Sequence, residues 1–369
     1  MTLVKLGTKV KVRHYAVNAN YLAYTVDNRF IIANLKGEYI TEFKFHDKLT
    51  SPIRMQGNLI WVGTGANYKS ITYFQNEFNI VDVLFSNFAF KELCFYARYF
   101  EEGGTSFACK IGMDKKIRWK TKDRGFGQNF LTESLFIHRS ALASLTALNN
   151  QTGEELWTYT LPKEFDYTFL DEHKEAQIAS ILGVYNHIVW LRLSSYALVG
   201  LDIVTGKLIK HIVNLDYFED APSKKVAENN RALFNSPTQL DTEQGIIFTC
   251  VSDRYAEVDL NQENYPYSVW NLETELAKQP SFSDKHHFSV SGIGGWEGDT
   301  VYIYDKGDSH CFGAFDRKTK KIIWSEILPG DKYKDYYIRD LKYAPGYLYL
   351  QDNESNLRIY ALESKEASE

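Results

Sequence analysis

One phrase recurs along the chain and limits what it can fold into: Ala147-Leu148-Asn149-Asn150-Gln151-Thr152-Gly153-Glu154-Glu155-Leu156-Trp157. It reads as a strand, a tight turn and a second strand ending in tryptophan. The stretches Ala314 to Trp324 and Cys109 to Trp119 have the same eleven-residue length, and Gly200 to Lys210 keeps the turn and loses the tryptophan. Hairpins repeated at intervals of roughly 40 to 55 residues mean a radial or solenoidal β array, whose units bury their faces only against neighbours. Such an array grows as one domain past the usual size, so residues 1–369 are read as a single unit, with Ser364 to Glu369 a frayed polar end.

Counting strand-turn-strand units gives eight. The first runs from Tyr21 to Phe45, the second contains Leu59-Ile60-Trp61-Val62, the third and fourth hold the Trp119 and Trp157 copies, and the fifth carries the Thr205-Gly206 turn. In the sixth, after Ala256 to Leu260, the phrase is weakened by an insertion around Tyr265-Pro266; the seventh holds the Trp324 copy. The eighth ends at Leu357 to Leu362, where a turn and outer strand should follow. The alternating segment Leu3 to Arg13 precedes the first unit without a partner of its own. Pairing the two ends removes the exposed sheet edges. The expected fold is therefore all-β, an eight-bladed β-propeller, with seven blades as the alternative and the final blade closed by the N-terminal strand.

The pattern Ala-x-Asp-x-x-Thr-Gly-x-x-x-Trp resembles the repeat of PQQ-like, or quinoprotein-type, propellers. The copy at Ala147 holds it almost completely, and those at Cys109, Gly200 and Ala314 hold it in part. Glycine supplies positive φ in the turn, and the tryptophan is expected to pack across to the adjacent blade. The resemblance covers most of the chain, with motif residues in four of the eight units. It implies the fold. Members of that family include periplasmic quinone-dependent alcohol dehydrogenases and an outer-membrane assembly lipoprotein. The former resemblance implies a vicinal disulfide, the latter a lipidated cysteine near the start; here no two cysteines adjoin and the first is Cys94. No cofactor is expected, because fold does not carry function across such gaps.

The amino terminus from Met1 to Arg13 alternates apolar and basic residues and has no run suited to a signal peptide or a membrane span. With Cys94, Cys109, Cys250 and Cys311 far apart, this points to a cytoplasmic protein with reduced thiols. Metal binding at His286-His287 and His310-Cys311 is not expected, since adjacent residues of a strand face opposite ways. Gly292 to Gly298 is read as a tight turn between blades, and Asn150-Gln151-Thr152 as a chance match to a glycosylation acceptor. No Gly-x-Ser-x-Gly and no His-Glu-x-x-His occurs, and no catalytic residue is assigned.

Charge is distributed unevenly. Residues 1–160 hold 20 Lys and Arg against 14 Asp and Glu; residues 161–310 hold 12 against 23; residues 311–369 hold 10 of each, and the net charge is −5. The acids gather with aromatics in two long connections, one with Asp166, Phe169, Asp171 and Glu172, the other with Asp216, Tyr217, Phe218, Glu219 and Asp220. Aromatic anchors among like charges suit a protein surface that steers in a basic partner, although charged loops also serve solubility. Direct nucleic-acid binding would need a basic stripe. The expectation is a monomeric, non-enzymatic propeller that binds a basic protein, with a nuclease toxin that it would neutralise as an immunity protein as the narrower expectation; a general scaffold or assembly factor, or an enzyme working in the central channel, are the alternatives.

Overall fold

Runs rich in valine, isoleucine, tyrosine and phenylalanine become strands because such side chains fit a pleated, half-buried surface. In the computed structural model, which describes residues 2–46, 52–64, 69–81, 88–100, 106–114, 116–124, 128–169, 172–213, 234, 237–281, 287–307, 309–328 and 337–363, they form eight four-stranded antiparallel sheets. The blades span 12–44, 54–81, 88–124, 129–160, 178–212, 239–271, 292–327 and, for the eighth, 338–363 together with 2–9. First strands of neighbouring blades touch at junctions 1–2, 3–4, 4–5, 5–6, 7–8 and 8–1, so they stand innermost and the ring is closed. Eight buried apolar clusters fill the eight junctions, each drawing residues from two successive blades. Among the described residues no helix is long and apolar enough to cross a membrane.

Strand Thr2–Lys9 closes the ring by pairing antiparallel with Leu357–Glu363, Leu3 opposite Leu362 and Lys9 opposite Leu357. The outer strand expected over Leu3 to Arg13 is shorter than that. The chain turns at Lys11 (φ 58°), the Val12 N–H donates to the Ser355 carbonyl at 2.8 Å, and Val12–Val17 becomes the innermost strand of blade 1. Blade 1 thus starts before Tyr21. Unbroken alternation hid the break, because a lysine rather than a glycine takes the left-handed position. Removing residues 2–9 is expected to leave Leu357–Glu363 as an open edge and to convert a monodisperse protein into aggregates on size exclusion with light scattering; a monomer of unchanged stability would contradict this role.

The repeated phrase is a lock between blades. Its first polar residue caps the turn: Asn149 Oδ1 accepts the Gln151 and Thr152 N–H groups, and Asp202 Oδ1 those of Val204 and Thr205. The glycine then takes positive φ, 74° at Gly153 and 67° at Gly206, which L side chains disfavour. Against each lies the tryptophan of the preceding blade: a Cβ on Gly153 would stand 2.6 Å from Trp119, and one on Gly206 equally close to Trp157. Each indole also donates into the turn it covers, Trp119 Nε1 to the Asn150 carbonyl (3.1 Å) and Trp157 Nε1 to that of Ile203 (2.9 Å). Trp324 departs from the expected equivalence. It is half-buried, in edge contact with Phe312 at 5.9 Å and packed against the cluster of the 7–8 junction. At the 6–7 junction Lys320 holds the glycine position with φ 59° and lays its ammonium over Trp270 (3.8 Å) and Tyr255 (4.5 Å), a cation–π contact in place of the indole-on-glycine stack.

A buried imidazole makes the ring acid-sensitive. His138, on the second strand of blade 4 (Leu135–Ala141), is stacked on Phe136 at 5.6 Å, and neither ring nitrogen has a hydrogen-bond partner among the described residues. Burial lowers its pKa from 6.5 to about 4. Below pH 6.5 the unfolded chain binds a proton that the folded one refuses until about pH 4, so its share of stability is present above 6.5 and is lost as pH falls through that window. His138→Phe should remove this component, read as a shallower fall of Tm between pH 6.5 and 4; an identical pH profile would show that other groups carry the acid limb.

Candidate interaction surface

Every blade-to-blade connection leaves a fourth, outer strand and enters the next first strand, at the end of the blade that also carries the turn between its second and third strands. Both acidic connections flank blade 5. Residues 161–177 lead into its first strand (Ile178–Tyr185), and 213–238 leave its fourth (Leu208–Ile212), so both are anchored at the same end of that blade.

The first connection is rooted firmly. Leu161, Phe165 and Ala176 are buried in the 4–5 junction, and the Phe165 ring stacks on His211 at 3.8 Å, whose pKa burial lowers. After a single 3-10 turn (Lys163–Phe165), Asp166 Oδ1 accepts the Ala176 N–H at 2.9 Å, while its Oδ2 stands 3.6 Å from His173 Nε2. Between these points Tyr167–Phe169 pairs with Glu172–Lys174, a two-stranded ribbon outside the eight blades. Glu164, Glu172 and Glu175 are exposed; Glu172 pairs with the Lys174 ammonium, which lowers its pKa.

Of the residues singled out by sequence, Asp166 therefore spends its carboxylate on the root of the ribbon, and Glu172 faces solvent. Phe169 lies on the ribbon, but its side chain, like Asp171, is outside the described residues, as are Asp216, Tyr217, Phe218, Glu219 and Asp220. Sequence reasoning passed over Glu164 and Glu175, which bracket the ribbon; their signal was only their place in the same insertion.

Part of the acidic balance of 161–310 holds turns together or, at Asp241 and Asp305, is buried. Asp202 caps its turn and is held below the usual carboxylate range by Thr205. Asp259 accepts the Asn261 N–H at 2.9 Å, Asp305 takes the Ser291 hydroxyl (3.0 Å) and the Gly307 N–H (2.7 Å), and Asp241 pairs with buried Arg317. Asp202 and Asp259 hold the turn position of the repeat, whereas Asp241 and Asp305 lie in other turns of their blades. The glycine run was also misread: Gly292–Glu297 is the inner strand of blade 7, not a turn. A Cβ on Gly294 would meet Leu341 at 2.8 Å and one on Gly295 would meet Tyr343 at 2.8 Å, so bare backbone lets blades 7 and 8 approach. Of the histidine pairs, His310 is buried and His286 is outside the described residues, among which no group of three metal-ligating side chains occurs. All four cysteines are buried, and burial pushes the Cys250 and Cys311 thiols up to about 12, which makes them poor nucleophiles.

No protein-family model and no curated protein matches the sequence. Solved structures do match the fold. BamB from Moraxella catarrhalis is similar over 98% of this chain and 100% of its own, at 13% identity and a TM-score of 0.58. The C-terminal WD40 domain of Sif2 is similar over 98% and 99%, at 10% identity and 0.62, and a europium-containing methanol dehydrogenase over 98% and 93%, at 10% identity and 0.57. At such identities the likeness is one of fold: a β-propeller of the kind seen in BamB and methanol dehydrogenase.

Proposed function

We propose that this chain is a non-enzymatic, protein-binding propeller that captures a basic partner on the acidic connections at the connection-bearing end of blade 5. The observation that carries this reading is the ribbon 167–174. It is an insertion that the repeat does not need, it is fastened at its base by Phe165, His211 and Asp166, and it offers Glu164, Glu172 and Glu175 to solvent. A firmly rooted ribbon with exposed carboxylates beside it suits recognition, since little order has to be imposed on binding. The second acidic connection, with Asp216, Glu219 and Asp220, starts from the same end of blade 5 and adds to the field.

The narrower reading is an immunity protein. A nuclease toxin must present a cationic cleft to phosphates, and an acidic propeller face can occupy that cleft. On this reading the protein acts as a cytoplasmic monomer without a cofactor. Co-purification from the native host should recover a basic protein, and its association rate should fall steeply with salt. Reversing Glu164, Glu172 and Glu175 to lysine, alone or with Asp216, Glu219 and Asp220, should slow association by about tenfold or more while the melting temperature holds, because exposed charges add little stability. A partner indifferent to both salt and reversals would place the contact elsewhere on the ring.

A further inference from the structure

At the 5–6 junction the indole lock is absent, and an open pocket lies beside the position that the indole would take. By strand register Lys210 of blade 5 occupies the position of the tryptophan: Gly200 faces Lys210 as Ala147 faces Trp157 and Ala314 faces Trp324. The turn that an indole there would cover is also altered. In blades 4 and 5 the N–H of the turn's first polar residue bonds the carbonyl five positions on, Asn149 to Glu154 and Asp202 to Lys207; in blade 6 Asp259 bonds Pro266, seven positions on. The two extra residues put Tyr265 (φ 50°) edge-on against buried Trp190 at 5.4 Å and leave the slot unfilled by this turn. The space, about 540 Å³, is lined by Lys210, His211, Asn264, Tyr265, Pro266 and Tyr267, with Ile212 and Val213 behind them. Among the described residues Lys210 has no ion pair.

We propose that this slot binds a planar aromatic ring carrying a carboxylate, the ring standing where Trp119 and Trp157 stand at their junctions and the carboxylate meeting the Lys210 ammonium. The volume lies within the range of small-ligand sites. Tyrosine and proline faces accept an aromatic ring, a lone cation selects an anion through a charge-assisted hydrogen bond, and the Asn264 amide offers a further polar contact. The site is on the flank of blades 5 and 6 and is independent of the partner reading; its failure would leave that reading untouched.

Calorimetric titration tests it with indole-3-acetate as a free aromatic acid and N-acetyl-Asp-Trp-amide as the same chemistry within a peptide chain. Binding of either supports the slot, and which one binds identifies the source. Lys210→Met should weaken the acid about tenfold and leave neutral 3-methylindole unchanged. Lys210→Trp should abolish binding of all probes, because its own indole rebuilds the lock, and should not lower the melting temperature. If that variant does not fold, Tyr265→Ala serves instead and should weaken every probe. No binding of either acid to the wild type at millimolar concentration, or undiminished binding in Lys210→Trp, overturns the proposal.

Discussion

Replacing Arg317 by methionine is expected to destabilise the ring by about 3 to 5 kcal/mol, because it strands a buried carboxylate. Arg317 sits in the blade 7 turn, where its own N–H donates to the Asp299 carbonyl at 2.8 Å. Its guanidinium donates to the Gly298 carbonyl of its own blade and reaches back into blade 6 to donate to Asp241 Oδ2, each at 2.5 Å, and lies over the Phe248 ring at 4.6 Å. Side-chain exposure is 2% for Arg317 and 4% for Asp241, so water screens the pair little. The other Asp241 oxygen already serves the Glu243 and Gln244 N–H groups and cannot compensate for the lost cation. Asp241→Asn should cost a similar amount by leaving the guanidinium without its anion. The double variant should cost far less than the two singles together, since neither charge is then buried alone. Urea unfolding of the four proteins measures this, and single-variant costs below about 1 kcal/mol would mean that the pair is solvated or replaceable.

The second large effect concerns the indole locks. Trp119→Ala and Trp157→Ala are each expected to cost about 3 to 5 kcal/mol, the range for emptying a large aromatic site. Each removes a buried ring, a hydrogen bond into the next turn and the surface on which Gly153 or Gly206 rests. Trp324→Ala should cost clearly less, about 2 kcal/mol, because that ring is only half-buried. Chemical denaturation of the three variants gives the comparison. Equal losses at all three sites would show that the ring contacts, not the turn, make the lock.

The difference among these tryptophans marks where reading residues one after another succeeds. Trp119, Trp157 and Trp324 stand in nearly the same phrase, and the phrase correctly places each on a fourth strand after a capped turn. The turns that Trp119 and Trp157 pack against belong to the following blade, some thirty to fifty residues away, whereas Trp324 meets Phe312 of its own blade. The same holds for the carboxylates. Asp166 and Glu172 look alike as a charge pattern, yet one is tied to Ala176 and the other faces water, and only the path of the connection separates them.

Taken alone, the sequence determined the features that short-range chemistry decides: strands from β-branched and aromatic runs, turns from Asp or Asn followed by glycine, a radial array from the recurring phrase, and closure of the last blade by the first segment. These depend on backbone preference and on a period, both of which are local. The count of eight blades was legible in the sequence, and the tertiary structure removed the alternative of seven through eight junction clusters, each built from two blades. Only that structure decided that Val12 opens blade 1, that Asp241 meets Arg317 across 76 residues, and that Lys210 faces a lengthened turn where an indole would otherwise sit. Each of these is a meeting of surfaces distant in the chain, and its energy comes from excluding water between partners that no local pattern specifies.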